Sequence, residues 1–295
     1  MSDQSFCTYG ELTVMSNEAK QYPGVMSFSV GRSILGREIP AFVLGEGKKA
    51  VVLLGGVLGT EGLTAALLFD FIKDYSEQLQ KSAKIYEISM PYLFAERRIV
   101  VVPYVNPDGI GYASEGVSQD NPLYERVLRM NGGADFHAWQ ANARGVTLSR
   151  NFSAGFAEAK GEERAAAVPC GAPFGFGGEY PESEPESAAL VRLLRALGED
   201  LQGGIVWHLN GGVSCSCRDK LSAKTMAAGR ILCRVMGSRE PSPRILAPLG
   251  SPADFCIEVL SRPAFHVGVD LSNGHARALL YERLRRALFT FPFML

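Results

Sequence analysis

Two arginines in one short block, Arg144 and Arg150, a glutamate beyond a glycine-containing turn, Glu61, and a histidine closing an apolar run, His208, are side chains of types that can hold a ligand. A planar guanidinium grips a carboxylate through two parallel hydrogen bonds, although surface ion pairing is the commoner use of any single arginine. By residue type alone, Glu61 reads as a carboxylate favouring the positive end of the helix it opens, and His208 as a partly buried histidine satisfied by a hydrogen bond. His266, Gly268 and Asp270 fall at alternate positions of an apolar run and so share one face of a strand. For His266 and Asp270, a strand residue and a strand-end turn residue are the expectation. Cys215 and Cys217 follow His208 closely, but Cys-x-Cys with one histidine lacks a four-ligand zinc spacing, so reduced thiols are expected there. His137 and His275 have no partner at metal-binding spacing and read as surface or loop residues.

The elements that must position these groups follow from hydrophobic periodicity. Residues 25–30 and 39–44 read as neighbouring strands joined by a polar, glycine-containing turn. Residues 50–54, 99–102, 205–209 and 264–269 are short apolar runs of the kind found in strands buried on both faces. Residues 63–72, 184–197, 221–236 and 278–289 carry helical apolar spacing. Strands alternating with helices predict an α/β fold with a central mixed, mainly parallel sheet and helices on both faces. Ligands of such sheets bind in loops at the carboxyl ends of the strands. No repeat, low-complexity tract or linker interrupts the chain, so residues 1–295 are expected to form one domain.

Composition narrows the partners. A 46% hydrophobic content supplies a substantial core. A formal charge of −1, from 30 Lys+Arg against 31 Asp+Glu, gives no electrostatic reason to expect nucleic acid or an acidic membrane. The first residues lack the basic stretch and apolar core of a secretory signal, and no apolar run is long enough to span a bilayer, so a cytoplasmic location is expected. Six scattered cysteines in so long a chain do not suggest a disulfide framework.

Several phrases together resemble one family. Leu54-Gly55-Gly56-Val57-Leu58-Gly59-Thr60-Glu61 is similar to the strand-loop-helix segment of zinc carboxypeptidases, where His-x-x-Glu gives two metal ligands. Asn106-Pro107-Asp108-Gly109 is the next landmark, and residues 139–152 resemble the Trp-x-Ala-Asn-Ala-Arg-Gly-Val-Asp-Leu-Asn-Arg-Asn-Phe block. Glu182-Ser183-Glu184-Pro185-Glu186-Ser187 matches a Ser-Glu-Pro-Glu-Thr helix start, and His208 falls where the family places its third ligand. Residues 254–258 and 262–269 resemble the Asp-Trp-Phe and Pro-x-Phe-Thr-x-Glu-x-Gly segments near the end of the domain. The wording around Ala141 to Val146 and Tyr180 to Glu186 resembles bacterial members acting on cell-wall peptides, the γ-D-glutamyl-meso-diaminopimelate peptidase type.

The resemblance implies a zinc ion held by three protein ligands, which activates a water while a carboxylate takes its proton. Of these, Glu61 and His208 occupy ligand positions, but Leu58 stands at the first histidine and Gly268 at the general base. Arg144 matches the carbonyl-polarising arginine, Arg150 and Ser149 the substrate-carboxylate contacts; Thr147 and Ser149 replace the usual Asp and Asn. No tyrosine lies in residues 245–253, where many relatives carry a substrate-capping one. The expectation is weak or absent zinc, lost peptidase activity, and recognition of a peptide or muropeptide with a free carboxylate. One alternative is an active metallopeptidase with a centre rebuilt from Glu61, His208 and His266 or Asp270; another is a structural or partner-binding protein with a filled cleft.

Overall fold

Alternation along the strands decides where the two cores lie. The computed structural model describes residues 7–209, 212–215, 222–237, 242–243, 249–269 and 276–295, with 212–215 and 242–243 described through their backbone. The chain opens with α1 (Tyr9–Ala19), started by a capping box between Thr8 and Glu11, followed by β1 (Val25–Arg32), β2 (Glu38–Leu44), β3 (Lys49–Leu54) and α2 (Gly62–Gln80). A short hairpin of β4 (Lys84–Ile85) and β5 (Ile88–Ser89) leads through α3 (Met90–Glu96) into β6 (Arg97–Val102). Then come α4 (Pro107–Glu115), α5 (Tyr124–Asn131), α6 (Phe156–Ala165), α7 (Pro185–Leu197), β7 (Leu201–Leu209) and β8 (Gly212–Cys215). The C-terminal part carries α8 (Ala223–Met236), β9 (Ser242–Pro243), the single turn α9 (Pro252–Asp254), β10 (Ala264–Val269) and α10 (Arg277–Thr290).

Eight strands form one sheet in the order β1-β2-β6-β3-β7-β10-β8-β9. Its centre, β6-β3-β7-β10, is parallel, whereas β1, β2 and β8 run antiparallel to their inner neighbours. This is the mixed α/β sheet expected from the alternation of apolar runs. On β3 and β6 the residues Val51, Leu53, Ile99 and Val101 join Phe265, Val267 and Trp207 in a core shared with α2, α8 and α10. Their alternate neighbours Val52, Leu54, Val100, Val102, Val206 and Ala264 form a second core with Leu190 and Leu194 of α7 and with Phe255. Successive strand side chains point to opposite faces, so His208, His266 and Gly268 belong to the second face, with Val206 and Ala264.

The observed elements extend the expected ones. Helix α2 runs on to Gln80 because Tyr75 and Ser76 continue its buried stripe. Strand β7 begins at Leu201, where Gly203 and Gly204 interrupt the apolar run that marks a strand. No described helix is long and apolar enough to cross a membrane.

Candidate active-site cleft

The turn after β3 brings Glu61 inward. Gly59 permits its tightness: a Cβ there would lie 2.4 Å from the Trp139 carbonyl oxygen, and the Gly59 amide donates to the Gln140 carbonyl at 3.0 Å. Although Glu61 precedes the first residue of α2, its carboxylate makes no capping bond to that helix. Instead Oε2 accepts from the Leu58 amide at 3.0 Å, and Oε1 meets His208 Nδ1 at 2.6 Å. The side chain is 3% exposed, so the helix-end reading of Glu61 gives way to a buried hydrogen-bonded pair.

A chain of contacts continues from there. His208 Nε2 lies 2.8 Å from His266 Nδ1, and His266 Nε2 lies 3.1 Å from Ser251 Oγ. Ser251 Oγ is in turn 2.9 Å from Asp254 Oδ2, within the capping box that opens α9. All five groups are buried. The two imidazoles stack with centroids 5.0 Å apart and planes at 22°. A carboxylate only accepts, so His208 donates its Nδ1 proton to Glu61; in the uncharged arrangement His266 donates from Nδ1 to His208 and accepts at Nε2 from Ser251. That one hydroxyl proton serves either His266 or Asp254. Burial, and then the neighbouring His208, hold the His266 imidazole well below the usual histidine range, which keeps it neutral.

Gly268 pairs in register with His208 across the parallel ladder. No side chain fills the face there, and the ring of His266, two residues earlier on the same face, reaches diagonally to His208.

A catalytic zinc needs three protein ligands, and two ligand atoms bound tetrahedrally at about 2.0–2.2 Å lie roughly 3.4 Å from each other. Here Glu61 Oε1 and His208 Nδ1 are 2.6 Å apart, joined by a proton. Leu58 has no donor atom, and no group of three or more His, Cys, Asp or Glu among the described residues is arranged to hold a metal. The donor set as it stands does not fit a three-ligand zinc site.

The arginine block forms the next wall. Asn106 caps α4 through the Gly109 amide at 2.9 Å and donates to the Ala141 carbonyl at 3.1 Å, fixing residues 139–142 against the β3–α2 turn. Asn142 Oδ1 accepts from the amides of Arg144 and Val146, while its Nδ2 donates to Glu184 Oε2 at 2.7 Å. Arg144 Nε also donates to Glu184 Oε2, at 3.0 Å, and Nη2 to the Ser183 carbonyl at 3.2 Å. Thr147 Oγ1 accepts from the Gly175 amide at 2.8 Å. Ser149 Oγ and Arg150 Nε are buried without a hydrogen-bond partner.

Arg150 is drawn away by α6. Its Nη2 donates to Glu162 Oε2 at 2.9 Å and to the Ala159 carbonyl at 3.2 Å. Its backbone nevertheless abuts the relay, because the Phe152 amide donates to the Gly250 carbonyl at 2.9 Å, one residue before Ser251. Gly250 has φ +88°, and a Cβ on it would lie 2.8 Å from the Arg150 carbonyl oxygen, so this junction requires glycine. Backbone contacts thus join both arginine segments to the Leu58–Glu61–His208–Gly268 cluster, while neither guanidinium hydrogen-bonds to Glu61 or His208.

Ser251 and Asp254 were not singled out as site residues, yet Ser-Pro-x-Asp is a legible helix-start pattern. His137 is exposed in a turn, as expected. Cys7, Cys170 and Cys256 are free thiols. Asp270, His275 and Cys217 lie outside the described residues, and Cys215 is described through its backbone on β8.

Comparison with known proteins agrees with this fold. A family model described as zinc carboxypeptidase matches residues 12–220. The γ-D-glutamyl-L-diamino acid endopeptidase 1 of Lysinibacillus sphaericus is 28% identical over 209 residues, covering 69% of this chain and 51% of that protein. The chain therefore spans about half the length of the curated relatives it matches. Among solved structures, carboxypeptidase A of Helicoverpa armigera superposes with a TM-score of 0.65 at 16% identity, covering 99% of this chain and 74% of the other. The murein-tripeptide amidase MpaA of Escherichia coli O157 gives 0.55 at 19% identity, covering 94% of each chain. At such identities the structures speak for the fold, and the matched family model, spanning well over half the sequence, shows that the chain belongs to the zinc carboxypeptidase family.

Proposed function

We propose that this protein binds a peptide or muropeptide by its free carboxylate and has lost the zinc-assisted hydrolysis of its family. The observation that carries the proposal is the 2.6 Å contact between Glu61 Oε1 and His208 Nδ1, which commits both inherited ligand atoms to each other. Leu58 and Gly268 remove a third ligand and the inherited base, and each serves a separate step of the reaction. Zinc binding is therefore weak or absent. The likeness to the γ-D-glutamyl-L-diamino acid endopeptidase 1 of Lysinibacillus sphaericus supports a γ-D-glutamyl-diamino acid peptide as the ligand class.

Both nitrogens of His266 are engaged, by His208 and Ser251, which argues against its use as a substitute base in a rebuilt centre. Buried, unpartnered Ser149 Oγ and Arg150 Nε favour anion recognition over a filled cleft, because such atoms are costly unless a ligand satisfies them. In this reading Arg144 keeps the carbonyl-facing position, and Ser149 and Arg150 receive the carboxylate.

The test supplies zinc to the purified protein and measures retained metal after dialysis, together with binding and cleavage of L-Ala-γ-D-Glu-meso-diaminopimelate and of a simple C-terminal dipeptide. Peptide binding without turnover is expected. Chelator-sensitive release of a terminal residue, or stoichiometric zinc lost on His208→Ala, would overturn the proposal.

A further inference from the structure

A second cavity opens beside the arginine block, on its α5 side. It has a volume of about 210 Å³, and its walls include Arg126, Arg144, Cys170, Phe176, Glu179 and Tyr180. Two of the charged side chains stand apart from Arg144. Arg126 on α5 and Glu179 are exposed and have no hydrogen bond, ion pair or ring contact among the described residues. They face the same small space, yet do not come within the 4.0 Å of an ion pair.

Arg144 makes the contrast plain. Its guanidinium is held by Glu184 and the Ser183 carbonyl, so its charge is already compensated. What the cavity has to spare is one cation and one anion held apart, with the rings of Phe176 and Tyr180 as walls. A ligand bearing a single charge would satisfy one group and face repulsion from the other. A ligand carrying both charges a few ångströms apart would satisfy both, since a guanidinium takes a carboxylate through two bonds and a carboxylate accepts from an ammonium. The volume is below the roughly 300–1,000 Å³ of sites that enclose whole drug-sized molecules, and suits the head of a ligand rather than all of it.

We infer that this cavity binds the zwitterionic head of an α-amino acid, with Arg126 taking the carboxylate and Glu179 the ammonium. Diaminopimelate within a peptide ends its side chain in this group, so the inference rests on the peptide reading above for the rest of the ligand, but the head-group site itself does not.

Cys170 supplies a reporter, being an exposed free thiol on the cavity wall. The experiment follows alkylation of Cys170 by iodoacetamide, read by peptide mapping, in the full chain with meso-diaminopimelate, D-alanine, acetate or methylammonium at equal ionic strength. At about 10 mM, roughly ten times the millimolar dissociation constant typical of a small charged fragment, the two amino acids should slow the reaction at least about fivefold and the singly charged ions should not. Arg126→Gln and Glu179→Gln, both exposed and outside the relay, should each abolish the protection. Protection by acetate alone, or none by any amino acid, or protection unchanged in both variants, would overturn the inference. Binding of L-Ala-γ-D-Glu-meso-diaminopimelate that is indifferent to both variants would overturn the inference while sparing the peptide reading. Protection by free meso-diaminopimelate without peptide binding would do the reverse.

Discussion

Glu61 and His208, 147 residues apart in sequence, are joined by a 2.6 Å contact between Oε1 and Nδ1. In the zinc carboxypeptidases that this chain resembles, those two positions meet through an ion. Here the two side chains lie within hydrogen-bond distance of each other, and the link extends through His266 and Ser251 to Asp254. The consequences are best stated as measurements.

Truncating the middle of that link should be costly. His266→Ala removes the partner of His208 Nε2 and of Ser251 Oγ and leaves a void in a fully buried position. Combined cavity and hydrogen-bond losses amount to about 2–4 kcal/mol. Urea unfolding of the two proteins measures the difference; a change below about 0.5 kcal/mol would show that the relay is not structural.

Repairing the inherited chemistry one residue at a time should fail. Leu58→His supplies a ligand but no base, and Gly268→Glu supplies a base but no firmly held ion. Each single variant should therefore remain without measurable cleavage of γ-D-glutamyl-diaminopimelate peptides in the presence of zinc. Any gain in the double variant should exceed the product of the single effects, as for groups acting as one unit. Activity restored by either change alone would contradict this.

Freeing Arg150 should strengthen carboxylate binding. Its partner Glu162 is more than half exposed, and an ion pair of that kind contributes only about 0–1 kcal/mol. Glu162→Gln should leave stability within about 0.5 kcal/mol and raise affinity for a C-terminal peptide by roughly threefold to tenfold. Calorimetric titration of both proteins provides the comparison, and unchanged affinity would place the carboxylate away from Arg150.

Glu186 should make stability fall as pH rises. Burial pushes its carboxyl up to about 8, with Asp108 and Glu184 nearby adding to the effect. A folded-state pKa above the unfolded value means the native state binds the extra proton, so the stability contribution is full below about pH 4.5 and is lost as pH climbs through about 8. Glu186→Gln, neutral and of the same shape, should flatten that slope and become a few kcal/mol more stable than the parent above pH 8. Thermal unfolding of both proteins at pH 6 and pH 9 tests the sign; equal slopes would refute it.

Much of this was legible in the sequence, for identifiable reasons. The central strands announced themselves because both their faces are buried, and Glu61 and His208 because their motifs placed one at the helix start after a strand and loop and the other at a strand end. Helix α1 was missed although Thr8 and Glu11 spell a capping box, since its hydrophobic pattern is weak and only Leu12, Ser16 and Ala19 are buried. The role of His266 was harder to read. Its value depends on a diagonal reach across β7 and on Ser251, which comes from a different element, and neither follows from spacing along one strand. Arg150 was placed by motif, but the pull of Glu162 on α6 is a tertiary effect that no local pattern reports.

The alternation that puts His266 on the second face of β10 also sets what kind of change the molecule can absorb. Point substitutions perturb one link at a time. Losing one residue between Ala264 and His266 would shift the reading frame of the strand against its neighbours, driving the imidazole into the apolar layer of Trp207 and offering His208 a valine instead. For this strand, length conservation is the stricter requirement: its inheritance tolerates edits of spelling far better than a single dropped letter.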